Sequence, residues 1–172
     1  MFNQALNPTT INGSKSTHED LRSRLLRAIT CERVALAELL KCLGDYEFHS
    51  LHLRDGYPSI YAFLTTGHGY SEGAAARRAN VARFCRSRPS VLSMVSNGDL
   101  SLTVTDMLAR AINKKEIPEA NLPEILPLLV RKSKTAAEEI LTTFMQKIPH
   151  ALPKEKARVI HVKPILISSL DT

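Results

Sequence analysis

Tryptophan is absent from this chain, and aromatic residues make up only 5% of its 172 positions. A core without large rings must come from Leu, Ala, Val and Ile, as helical domains often have. Cysteine is scarce as well. Cys31, Cys42 and Cys85 are odd in number and share no CxxC spacing, so they form neither a disulfide framework nor a zinc ribbon. They read as reduced, structural thiols of a cytoplasmic protein. No apolar run approaches the roughly 20 residues that a membrane span needs. The opening "MFNQALNPTTINGSKSTHED" lacks the basic-then-apolar order of a secretory signal. Gly-x-Ser-x-Gly and Gly-Lys-Ser/Thr motifs are missing too, which removes the usual signatures of a hydrolase elbow or a nucleotide loop. His49 and His52 have metal-ligand spacing on a helix but no evident third ligand, so they read as structural. No catalytic residue, metal or cofactor is implied.

What is present is positive charge, and it is unevenly spread. Residues 1–60 balance seven basic against seven acidic side chains. The formal +6 therefore lies entirely beyond residue 60. Within 71–88, Arg77, Arg78, Arg83, Arg86 and Arg88 face only Glu72. Such a cluster concentrates polyanions at a surface. The competing reading is a solvated helix whose arginine stems lie along apolar neighbours.

Helical periodicity runs through most of the chain. From His18 to Leu43 the residues Leu21, Leu25, Ala28, Ile29, Ala35, Leu36, Leu39, Leu40 and Leu43 share one arc of about 140°, with the charge of Glu32 inside it. Ser16 and Glu19 have capping-box spacing, and the helix is expected to stop or bend near Gly44. This face would pack on its own domain or on a second copy, making a homodimer through the 18–43 helix. A short helix over 58–66 follows, with Tyr57, Ile60, Tyr61, Phe63 and Leu64 as an aromatic core knot. Ser71 caps a helix reaching Ser87, because the residue before Pro89 is pushed out of helical geometry. Further helices are expected at "PSVLSMVSNG", after Ser101, in the proline-broken "NLPEILPLLV" and after Ser133. Residues 1–16 read as a flexible leader, 17–150 as one helical domain, and 151–172 as an extended tail or the start of a lost second module. The fold class is all-α: a multi-helix bundle with a long N-terminal amphipathic helix and an extended tail or strand at the end.

From Gly69 to Ile112 a glycine turn, an arginine-rich helix, a proline-started helix, an Asn-Gly-Asp-Leu turn and another capped helix succeed one another. Short helices joined by tight turns are the makings of a helix-turn-helix unit. The matching residues are Gly56, Tyr57, Ser59, Tyr61, Ser71, Glu72, Ala74, Ala75, Arg77, Arg78, Ala82, Arg83, Arg86, Pro89, Gly98, Leu100, Ser101 and Leu102. In order and spacing they resemble the helical region that precedes the nuclease domain in bacterial HNH endonuclease-like proteins. "RKSKTAAEEIL" resembles the helix closing that region, so the likeness covers about residues 21–148. More loosely, 69–112 is similar to the helix-turn-helix of ParB-like partition proteins. The chain departs from the nucleases where it matters for cutting. Its six histidines form no paired set in a ββα unit with which to hold a metal and activate water. The resemblance thus implies the accessory nucleic-acid-binding half without the nuclease.

On a helical wheel with Ala75 at zero, Ala79 and Ala82 lie within about 40°, a narrow small-residue face that lets another helix come close. Asn80 and Arg77 point away from that face and are the first choices for groove or phosphate contact. Arg83 sits on the edge, and Arg78 is on the flank, where a carboxylate could pair with it. Phe84 lies opposite Ala75, so the helix is either covered on two sides or ends early. The expected DNA-binding set is Ser71, Arg77, Arg78, Asn80, Arg83, Arg86 and Arg88. Arg83, Arg86 and Arg88 are expected on phosphates, since a guanidinium fork suits that contact. The expected protein is a non-enzymatic, cytoplasmic DNA-binding protein, with double-stranded DNA as the nucleic-acid partner. The alternative is a helical interaction or dimerisation module whose basic face is incidental.

Overall fold

The first apolar arc becomes a helix of 38 residues, α1, Ile11–Phe48. The computed structural model describes residues 11–148, with side chains from Thr17 onward. Two boundaries differ from expectation. The helix is already formed at Ile11, so Ser16 and Glu19 lie in its interior rather than at its start, and part of the expected leader, 11–16, is helical. It also passes through Gly44 without stopping. Gly44 is there for a tertiary reason: a Cβ at this position would lie 2.9 Å from the Ala82 carbonyl oxygen of a crossing helix. Glycine's cost within a helix is offset by close backbone approach. The expected extended tail, 151–172, lies outside the described residues.

After α1 come α2 (Leu51–Arg54) and α3 (Ile60–Ala62), which widens into a π turn over Phe63–Gly67. Ser59 starts α3, its hydroxyl accepting the Ala62 N–H at 3.1 Å. Then follow α4 (Glu72–Arg86), α5 (Pro89–Asn97), α6 (Leu102–Asn113), α7 (Leu122–Leu129) and α8 (Lys134–Lys147). The anticipated punctuation holds at α5, α6 and α8. Gly98 ends α5 in the left-handed region at φ 78°, with the Asp99 N–H donating to the Met94 carbonyl at 2.8 Å. Ser101 and Ser133 cap α6 and α8 by accepting the backbone N–H of Val104 and Ala136. The fold is all-α, as expected, with no strand among the described residues.

α4 is the centre of the bundle. α1 and α6 pack on its two flanks and α5 closes one end. Ala75, Ala79 and Ala82 are buried as the narrow face predicts, and so are Val81, Phe84 and Cys85 on the other flank. The helix is covered on two sides, which accounts for Phe84 lying opposite Ala75. Leu40, Leu43, Leu100, Leu108 and Ile125 complete one continuous core. Part of the expected aromatic knot is in it: Ile60 and Leu64 are fully buried, whereas Tyr61 is exposed. Phe63 instead joins a ring cluster with Tyr46, Tyr57 and His68, at centroid distances of 4.9, 5.4 and 4.4 Å. That cluster fastens the π turn to the C-terminal end of α1, and the Tyr46 hydroxyl donates to the Asp55 carboxylate beside it.

Candidate nucleic-acid interface

α3 with its π turn, then a tight turn through Gly69 (φ +68°), leads into α4. The Tyr70 N–H donates to the Leu64 carbonyl at 3.0 Å, locking the turn against the preceding helix. Ser71 stands at the N-terminus of α4 in extended geometry, exposed, with its hydroxyl making no cap bond. Beyond it Glu72, Gly73 and Ala76 are also exposed. A Cβ added at Gly73 would meet nothing within 4 Å. The first turns of α4 are therefore open to solvent on one side while Ala75 and Ala79 anchor the other.

The arginines of 77–88 are distributed differently from the sequence expectation. Arg77 makes no hydrogen bond, ion pair or ring contact with any described residue. Arg78 lies over the Tyr70 ring at 4.8 Å and donates to the Ala74 carbonyl at 3.3 Å, so its flank position pairs it with a ring and a carbonyl rather than a carboxylate. Arg83 grips Glu47 of α1 with two bonds, at 2.7 and 2.6 Å. Arg86 lies over the Phe48 ring at 3.3 Å with its Nε 3.6 Å from Asp45. Arg88 is mostly buried, pairs with Glu119, donates to the Phe84 carbonyl at 2.8 Å and covers the Phe84 ring. Three of the five positive charges are thus matched by carboxylates, and Glu72 at the helix start offsets a fourth.

Asn80 is a correction. Rather than pointing to solvent, its side-chain N–H donates to the Asp106 carboxylate of α6 at 2.8 Å, and its oxygen accepts from Asn113 at 3.3 Å. Asp106 is buried and is held on its other side by Arg110 at 2.9 Å. A carboxylate withdrawn from water needs such partners, and Asn80 is one of them. The wheel misplaced Asn80 because it took Ala75 as the centre of a single buried face, whereas α6 covers a second.

No protein-family model, curated protein or solved structure matches this chain.

Two further expectations have definite places. His52 is buried and His49 exposed, and no group of three or more His, Cys, Asp or Glu is gathered among the described residues. Of the basic run 131–134, Arg131 pairs with Asp99 at 3.4 Å and Lys134 with Glu138 at 3.6 Å. Lys132 lines an open groove of about 610 Å³ together with Arg33 and the α5–α6 turn. No described helix is long and apolar enough to cross a membrane. The residues that sequence reasoning missed are Gly73 and Ala76, whose only signal is their smallness beside the glycine turn. It also missed the acids Asp45, Glu47 and Glu119, which are far from the arginines in sequence.

Proposed function

We propose that the chain is a non-catalytic nucleic-acid-binding protein that presents the first turns of α4 to duplex DNA. One observation carries this reading. The N-terminal half of α4 is open on one side, with the Ser71 hydroxyl and the half-buried Arg77 guanidinium unengaged by any described residue and, after Glu72, only small side chains between them. A helix start offers free backbone N–H groups to phosphate, and small residues let it sit deep in a groove. Arg77 is then the base- or phosphate-reading side chain. Arg83, Arg86 and Arg88 hold α4 to its neighbours through Glu47, Asp45 and Glu119. The order-and-spacing resemblance to the helical half of HNH endonuclease-like proteins points the same way.

Salt-dependent binding tests it. Affinity for duplex DNA should fall steeply between about 50 and 200 mM salt, and Arg77→Ala should lower the salt slope by about 1. Arg83→Ala should leave affinity unchanged. No binding at low salt, or an Arg77→Ala protein that binds like the wild type, refutes the reading. The second reading, an interaction module with an incidental basic face, is favoured by the pairing of three arginines with carboxylates, which weakens the long-range pull on a polyanion.

A further inference from the structure

The seam between α4 and α6 holds a buried acid with two arginines around it. Asp106 uses both carboxylate oxygens: Oδ1 accepts from the Asn80 side chain at 2.8 Å, and Oδ2 lies 2.9 Å from Nη2 of Arg110. The Asp106 side chain is 7% exposed, whereas that of Arg110, one turn further along α6, is 60% exposed. This pairing differs from that of Arg83. Arg83 gives Glu47 two bonds, from Nε and Nη2, and so commits one whole edge of its fork. Arg110 gives Asp106 one nitrogen, and its Nε and Nη1 bond no described residue.

The course of the two helices brings this fork to the same place as Arg77. Arg88, just past the end of α4, pairs with Glu119, which follows the end of α6, so the two helices run in the same sense. Asn80 meets both Asp106 and Asn113. Arg77, one turn before Asn80, therefore stands toward the Asp106 end of the seam. Helical side chains lean toward the N-terminus, and the bond to Asp106 draws the Arg110 guanidinium back to that same end. Packed helices stand about 8–10 Å apart, axis to axis. Arg77 and Arg110 thus approach one buried carboxylate from the two walls of the seam, two positive charges against a single negative one. Arg83, Arg86 and Arg88 have no such surplus, since each has a carboxylate of its own. Lys114, the next basic residue along α6, is matched by Glu116 at 3.8 Å.

We propose that Arg110 is a second contact for nucleic-acid phosphate, positioned by Asp106, so that the binding surface spans the α4–α6 seam instead of α4 alone. The inference rests on the DNA-binding reading of α4 and extends that site to a second helix. One nitrogen of the fork is fixed by a carboxylate held out of water, and the rest of the fork is left for phosphate oxygens, to which a planar guanidinium is suited. Arg77 and Arg110 then hold two phosphates from the two walls.

The test is the salt dependence of duplex DNA affinity for the full chain between about 50 and 200 mM salt, with the melting transition of each variant followed alongside. Arg110→Gln keeps an N–H for Asp106 and removes the charge. It should lower the salt slope by about 1, and by about 2 when combined with Arg77→Ala. Arg110→Lys should keep the slope, because the cation remains. Arg27→Gln removes the same charge from the exposed side of α1 and should leave the slope unchanged. In the unaltered protein, phenylglyoxal should modify Arg110 when DNA is absent and spare it in the complex, a readout that needs no variant to fold. A wild-type slope in Arg110→Gln, while Arg77→Ala lowers it, overturns the proposal and leaves the α4 reading standing. So does Arg110 labelling that DNA does not change, or an equal loss of slope in Arg27→Gln, which would make the effect one of net charge. Wild-type protein that binds no DNA at low salt overturns both.

Discussion

Replacing Asn80 with alanine should cost stability and leave any nucleic-acid affinity intact, the reverse of what its place beside Arg77 in the sequence suggests. The magnitude follows from its contacts. Asn80 supplies a 2.8 Å hydrogen bond to the carboxylate of Asp106, whose side chain is 7% exposed. A hydrogen bond to a charged group is worth about 1.5–3 kcal/mol, and a buried acceptor left unpaired incurs its desolvation cost as well. Arg110 remains on the other oxygen and limits the loss. The 3.3 Å bond from Asn113 is longer and adds less. About 2 kcal/mol in total corresponds to a fall in Tm of about 4–8 °C for a domain of this size. Thermal unfolding followed by circular dichroism, paired with a DNA titration of the same protein, reads both quantities. A change below about 0.5 kcal/mol, typical of an exposed site, would refute the buried network. Lost affinity at unchanged Tm would return Asn80 to the binding surface.

Gly44→Ala should also destabilise, although alanine is favoured over glycine in a helix by about 1 kcal/mol. The new Cβ would meet the Ala82 oxygen at 2.9 Å, so α1 and α4 must separate by about 0.5 Å to restore ordinary contact. A net loss of about 1–2 kcal/mol by urea unfolding is expected, and a raised midpoint would mean the helices do not cross so closely. Thiol labelling at pH 8 should find Cys31 and Cys42 reactive in the native protein. Cys42 should be the slower, since partial burial and the Glu38 carboxylate beside it raise its pKa. Cys85 should react only on unfolding, because burial within α4 pushes its thiol up to about 11. Native-state labelling of Cys85 at the rate of Cys31 would show that α4 is not enclosed.

The sequence was most informative where the determinant is local. The serine caps at 101 and 133, the glycine stop at 98 and the proline start of α5 each act within one turn, and all are where the pattern puts them. The buried Ala75, Ala79 and Ala82 face was legible for the same reason. Gly44 does not stop α1; its meaning lies in Ala82, 38 positions away, and a glycine at a helix crossing looks the same in sequence as one at a helix end. The arginines show the limit most clearly. Their charge is visible in the chain, but the carboxylates that engage Arg83, Arg86 and Arg88 come from the end of α1 and from the short turn before α7. Only the tertiary arrangement separates Arg77, which is free, from three arginines that are tied down.

The two-sided enclosure of α4 limits what Arg77 can do. Held by α1 along one edge and α6 along the other, the helix has no freedom to roll about its axis, and the Tyr70–Leu64 bond fixes the angle at which it begins. A visitor at its exposed start therefore meets a rigid template. Little order remains to be imposed on docking there, and discrimination between visitors has to come from how well each conforms to a shape that does not adjust.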